Sequence, residues 1–137
     1  MAVKDVSSVV ALLSVVDMRK SLAFYRDVLG FEVESRWEPE GVLHWAMLRL
    51  GGAHLMLNSR FETAEEAAAF KPAAQLNDVT LYFSCKDANE AYRDLKAKGC
   101  AIAEPETTFY GARQLFIRDP DGYQLCFQHA VPQAATT

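Results

Sequence analysis

The spacing of apolar residues along this chain changes from a period of two to a period near 3.6 and back, and the same succession occurs twice. Residues 8–16, SVVALLSVV, are apolar and β-branched, which predicts a strand. Asp17 is then placed to cap a helix whose apolar stripe falls at Met18, Leu22, Tyr25 and Leu29, with Gly30 as its stop. Phe31–Glu34 alternates like a strand, and Pro39-Glu40-Gly41 reads as a turn. HWAMLRL and AHLMLN flank Gly51-Gly52, which predicts a hairpin. The Ala- and Glu-rich run from Phe61 to Phe70 predicts a short helix ended near Lys71-Pro72.

The second half repeats the plan. DVTLYFSC predicts a strand, Asp87 a cap, the stripe Ala88, Ala91, Tyr92 and Leu95 a helix, and Gly99 its end. Three further strands are expected around 101–106, 111–118 and 122–128, with Asp119-Pro120-Asp121-Gly122 as the turn before the last. Asp17 and Asp87 stand 70 residues apart, as do Gly52 and Gly122, and Leu55 and Leu125. Caps, turn glycines and strand residues agreeing on one offset predict a duplicated βαβββ unit, hence an α+β fold. The expected organisation is a single domain over 1–137: module one at about 8–60, a link at 61–76, module two at about 77–128 and a loose tail at 129–137.

Composition narrows the class of protein. With 137 residues, half of them apolar, the chain suits one packed domain. No stretch nears the roughly 18 apolar residues of a membrane span, and the N-terminus lacks the order of a signal peptide, so a cytoplasmic protein with no membrane partner is expected. Cys85, Cys100 and Cys126 are odd in number and form no C-x-x-C pair, which predicts reduced thiols. The formal charge of −4 argues against nucleic acid and mildly favours neutral or cationic ligands.

Two motifs then carry a resemblance. Asp17-Met18-Arg19-Lys20-Ser21-Leu22-Ala23-Phe24-Tyr25, continuing to Leu29-Gly30-Phe31, resembles the D-x-x-x-S-x-x-F-Y…L-G-F signature of the vicinal oxygen chelate superfamily, the glyoxalase, bleomycin-resistance and dioxygenase proteins. Phe116-Ile117-Arg118-Asp119-Pro120-Asp121-Gly122 resembles its closing D-P-D-G turn. The resemblance covers about residues 8–128. It implies two tandem βαβββ modules forming a cupped, mostly antiparallel eight-strand sheet, helices on the convex face, a ligand cavity on the concave face, and a homodimer.

Enzymes of that superfamily hold a divalent metal on the first and last strand of each module. The matching positions here are Val10, Met56, Thr80 and Cys126. Val and Met supply no imidazole or carboxylate, and a neutral Thr hydroxyl is a poor ligand, so no metal or other cofactor is expected. His44, His54 and His129 fall on different strands or in the tail, and alternation puts His44 on the face opposite His54.

Alternation also assigns faces without the family. On one strand Val79, Leu81 and Phe83 oppose Thr80, Tyr82 and Ser84; on another Tyr123, Leu125 and Phe127 oppose Gln124, Cys126 and Gln128. The apolar parity should lie under a helix and the mixed parity should face the cavity. A two-residue Gly51-Gly52 turn would set Met47 against Met56, Trp45 against Asn58 and Arg49 against His54. The 70-residue offset carries Trp45 and Met47 to Leu115 and Ile117. The expected ligand-binding wall is Leu12, Ser14, Trp45, Met47, Met56, Asn58, Tyr82, Leu115 and Cys126, with no catalytic residue assigned.

Competing readings attach to several of these residues. Trp45, Met47 and Met56 are either plain core or an adaptable surface for a flat ligand. Arg49 and His54 read as a solvated rim rather than a charge clamp, and Glu32, Glu34 and Glu38 as a solvated acidic strip. Trp37 and Arg113 are placed at the cavity mouth. Cys126 reads as a small hydrophobe unless a base activates it. The expected function is metal-independent binding of an aromatic or amphipathic small molecule, of the bleomycin-resistance type. The alternatives are a metal-dependent glyoxalase-like lyase, isomerase or dioxygenase with relocated ligands, and an accessory domain that binds another protein.

Overall fold

The computed structural model describes residues 2–71 and 76–132. Residues 72–75 of the expected link and 133–137 of the expected tail lie outside the described residues. The chain divides into two compact units, Met1–Phe70 and Lys71–Thr137. No helix among the described residues is long and apolar enough to cross a membrane.

The first unit contains β1 (Ala11–Val15), α1 (Met18–Ala23), β2 (Glu32–Trp37), β3 (Trp45–Leu50), β4 (Ala53–Ser59) and α2 (Ala64–Ala69). Its sheet has the order β1-β4-β3-β2, with β1 parallel to β4 and the other pairs antiparallel. Asp17 starts α1 as the sequence predicts, its carboxylate accepting the Lys20 N–H at 3.1 Å. Past Ala23 the helix widens to a π-helical turn over Phe24–Val28. The Leu29 N–H donates to the Phe24 carbonyl at 3.0 Å and the Phe31 N–H to Tyr25 at 2.9 Å, across Gly30 at φ 92°. This wide turn brings Tyr25 and Phe31, both fully buried, edge to face at 5.6 Å. They close the core formed by Leu13, Val15, Ala46, Leu48, Leu55 and Leu57 of the sheet, with Met18 and Leu22 of α1. Each large side chain so buried contributes about 1.5–3 kcal/mol.

The second unit contains β5 (Leu76–Ser84), α3 (Ala88–Ala97), β6 (Glu106–Thr107), β7 (Ala112–Arg118) and β8 (Tyr123–Ala130), with sheet order β5-β8-β7-β6. The eight strands thus form two open four-stranded sheets, each from one βαβββ unit. The strand expected over 101–106 shrinks to Glu106–Thr107, while β8 runs past 128 to Ala130. The extension has a use: His129 Nδ1 accepts the Ala88 N–H at 2.9 Å, capping α3 beside Asp87, which accepts from Asn89 and Glu90.

One sequence expectation fails here. The hairpin β3–β4 has two residues between the pair Leu50 and Ala53, and all three pairings expected from its turn are present. In the second unit the Asp119 N–H donates to the Tyr123 carbonyl at 3.0 Å, leaving three residues, Pro120 to Gly122, inside the turn. The extra residue moves β7 by one place, so Gln114, not Leu115, pairs with Gln128 as Trp45 pairs with Asn58. A slip of one residue exchanges the faces of a strand. Leu115 therefore opposes Phe127 and is fully buried on the helix side, and Ile117 opposes Leu125 there; Phe116 takes the open-face position opposite Cys126. Arg113 likewise lies on the helix side, its Nε donating to Asn89 Oδ1 at 2.9 Å, and not at a cavity mouth.

This register predicts that Leu115→Ala lowers the unfolding free energy by about 2–5 kcal/mol, as removal of a buried Leu does. Phe116→Ala, at a side chain 39% exposed, should cost less than half as much. Urea titration of the two variants checks it, and the reverse order would refute the register.

Candidate functional site

Each sheet has one face under its helix and one face turned away from it. In the first unit the face away from α1 is set by two cross-strand rows. Leu12 pairs with Met56 and Met56 with Met47; Ser14 pairs with Asn58 and Asn58 with Trp45. All six residues expected from the first module therefore share one face. β2 extends both rows, because a bulge between Val33 and Ser35 sets Ser35 against Met47 and Trp37 against Trp45. Trp37 is thus a direct neighbour of Trp45. It is 61% exposed, with its ring 5.3 Å from that of His44, and Leu12 is 51% exposed. A flat, half-open surface of two indoles, two thioethers and a Leu results.

At the turn end of this face the acidic strip is paired internally. Arg49 reaches Glu32 at 2.8 Å and Glu34 at 3.3 Å, and His54 Nε2 lies 3.2 Å from Glu34. Glu38 pairs with Arg36 at 3.3 Å. Such exposed pairs contribute little to stability, but they leave neither a free cation clamp nor a free acidic strip beside the apolar rows.

In the second unit the open face carries Thr80, Tyr82 and Ser84 of β5, Gln124, Cys126 and Gln128 of β8, and Gln114, Phe116 and Arg118 of β7. Side-chain hydrogen bonds cross the strands. Thr80 Oγ1 donates to Gln124 Oε1 at 2.8 Å, while Gln114 Nε2 donates to Gln128 Oε1 at 3.0 Å and to Tyr110 Oη at 3.1 Å. Arg118 is held by the Leu76 and Gly122 carbonyls at 3.2 and 2.8 Å. Between these polar groups stand Tyr82, 55% exposed, and Phe116. The sequence reading missed Phe116, Gln114 and Tyr110. The signal was the turn: D-P-D-G is longer than G-G, so one offset could not hold across both hairpins.

Cys126 sits between Tyr82 and Phe116 in register and is fully buried. Burial pushes its thiol up to about 11, and burial also raises that of Cys85. Of the other positions where the resemblance puts metal ligands, Val10 and Met56 have no donor for a hard divalent ion, and the Thr80 hydroxyl is engaged with Gln124. Among the described residues no three His, Cys, Asp or Glu side chains converge to hold a metal. The donor set does not fit the metal of the family's enzymes. The three histidines meet Trp37, Glu34 and the start of α3 respectively.

Comparison with known proteins agrees with this fold. A family model described as Glyoxalase/Bleomycin resistance protein/Dioxygenase superfamily matches residues 7–127. YraH of Bacillus subtilis (strain 168), itself described as uncharacterized, is 32% identical over 115 residues, 80% of this chain and 87% of that protein. Among solved structures, TioX from Micromonospora sp. ML1 superposes with a TM-score of 0.69 at 23% identity, over 96% of this chain and 100% of that one. TnmS3, an antibiotic binding protein from Streptomyces sp. CB03234, gives 0.69 at 24% identity, over 95% and 98%. These two likenesses establish the fold, and the family match establishes descent: the chain belongs to the Glyoxalase/Bleomycin resistance protein/Dioxygenase superfamily.

Proposed function

We propose that this protein binds a neutral aromatic or amphipathic small molecule on its open sheet faces, without a metal, in the manner of the bleomycin-resistance branch of its superfamily. The observation that carries the reading is the half-open surface of Leu12, Trp37, Trp45, Met47 and Met56. An indole presents a stacking plane and a thioether a polarizable, adaptable contact, which suits a flat ligand of variable outline. The Asn58 amide on the same face adds a group that orients such a ligand, and the second unit's open face carries the Gln124 and Gln128 amides and the Tyr82 hydroxyl as a surface of its own. Arg49 is taken up by both Glu32 and Glu34, so the face offers no free cation to an anionic ligand. That TnmS3 is described as an antibiotic binding protein supports the same class of ligand.

Exposed apolar side chains of this kind are also what a second copy of a chain covers, so a homodimer belongs to the reading. Metal-assisted lyase or dioxygenase chemistry is disfavoured by the occupants of the four ligand positions. Thiol catalysis is disfavoured because Cys126 is held in its neutral, weakly nucleophilic form.

Both tryptophans of the chain lie on the proposed surface, so their fluorescence reports on it. Titration with a panel of planar antibiotics should give saturable quenching by at least one compound. Met56→Glu should weaken that binding about tenfold or more, as a charge placed in an apolar contact does. Stoichiometric divalent metal in protein purified without chelators, with a turnover abolished by chelation, would sink the proposal.

Cys126 gives a second test. Its neutral thiol is favoured in the folded state, so its contribution is complete below the ordinary thiol range near pH 8.5 and is lost as pH rises through about 11. Unfolding free energy should fall by up to about 3 kcal/mol across that window. Cys126→Ala should flatten the decline in urea melts at pH 7.5 and 10.5. An identical decline in both proteins would refute the assignment.

A further inference from the structure

A cavity of about 920 Å³ lies on the helix side of the first unit, away from the open face. One wall is α1, with Met18 and Leu22; another is the connection between β2 and β3, with Val42 and Leu43; Ala67 and Ala68 of α2 form the third. The space is a half-open groove, and its volume falls within the roughly 300–1,000 Å³ of small-molecule sites.

Helix α2 is the unusual element here, because none of its residues is buried. A six-residue helix has little intrinsic stability and ordinarily depends on an apolar face packed against the core. This one is held from its ends. Thr63 accepts the Glu66 N–H at 3.1 Å while the Glu66 carboxylate accepts the Glu62 N–H at 3.2 Å, a reciprocal cap. Phe61 and Phe70 pack ring to ring at 5.1 Å across its two ends, and the Arg60 guanidinium lies over Phe70 at 5.0 Å. Two of its alanines, Ala67 and Ala68, border the cavity.

The charges at the walls are unequally paired. Arg19, Arg26 and Arg36 line the cavity against Asp17 and Glu38. Glu38 is taken by Arg36 at 3.3 Å, Arg26 holds Asp27 at 2.9 Å, and the Asp17 carboxylate accepts from the α1 backbone. Arg19 has no hydrogen-bond or ion-pair partner among the described residues. With Asp27 counted, three arginines face three carboxylates at these walls, and the Arg19 guanidinium is the one left without a partner among the described residues, on a lining shared with Met18, Leu22, Val42 and Leu43.

We propose that this cavity is a second binding site, for an amphipathic monocarboxylate. The carboxylate takes the planar fork of Arg19, and an alkyl or aryl body lies between α1 and the alanines of α2. A single unpaired guanidinium matches one carboxylate better than a multiply charged phosphate. The site is independent of the open sheet faces, so either can exist without the other.

The test uses 11-(dansylamino)undecanoate as a fluorescent probe on the full chain, displaced by dodecanoate or by dodecanol. Expected are saturable binding of one probe per chain and displacement by dodecanoate at least about tenfold better than by dodecanol, with Arg19→Glu weakening the probe by a similar factor. Ala68→Trp, at an exposed helical position, should block the probe while far-UV circular dichroism stays unchanged. Met56→Glu, which acts on the sheet face, should leave it bound. No saturable binding below the micelle concentration would overturn the proposal. So would equal displacement by the alcohol, or binding lost with Met56→Glu and kept with Arg19→Glu.

Discussion

Burial of one face of a four-stranded sheet under a short helix is the constraint from which the rest of each unit follows. A strand has two faces, and the side chains that pack under the helix leave the alternate set outside. In the first unit Leu13, Val15, Leu48, Leu55 and Leu57 are committed to the core, so Leu12, Met47 and Met56 have no place there. They remain on the surface as a consequence of period and register. The open apolar face is the complement of the core, and any function it has was obtained by choosing residues at positions the fold had already released from packing.

The two units use that freedom differently. The first offers indoles, thioethers and a leucine, with its charges confined to the turn end and paired among themselves. The second offers an amide and hydroxyl ladder around Tyr82, Phe116 and a buried thiol. The positions from which the superfamily's enzymes would hold a metal are occupied by Val10, Met56, the buried Cys126 and a Thr80 bonded to Gln124.

The caps show how local chemistry and tertiary contacts share one task. Asp17 and Asp87 begin equivalent helices, but α3 also takes an acceptor from His129 of β8, which ties the helix start to the end of the last strand. Hydrogen bonds from the Glu90 and Asn89 backbone hold the Asp87 carboxylate below its ordinary range. Helix α2, by contrast, is secured at its ends and leaves its alanines over an unfilled space. A chain that packs α1 and α3 against sheets but holds α2 off its core has kept a volume that packing alone would remove.

The sequence by itself determined the order of elements, the duplication, the capping aspartates and the hairpin pairings of β3 with β4, because periodicity, capping and two-residue glycine turns are local properties written within a few residues of where they act. Together with the family resemblance its motifs carry, it also named Val10, Met56, Thr80 and Cys126 as the residues at the four ligand positions that resemblance implies. What only the tertiary structure decided is which side of β7 faces out. Three residues inside the second hairpin turn, where the first has two, move Leu115 into the core and Phe116 onto the open face. The longer D-P-D-G run marks where the two hairpins differ, but the register follows from how the Asp119 backbone closes on Tyr123, which residue spacing alone does not specify. The bulge that sets Trp37 beside Trp45, the reach of β8 to His129 and the space under α2 are of the same kind. Each arises from how two segments distant in sequence come into register, and composition and period carry no information about that.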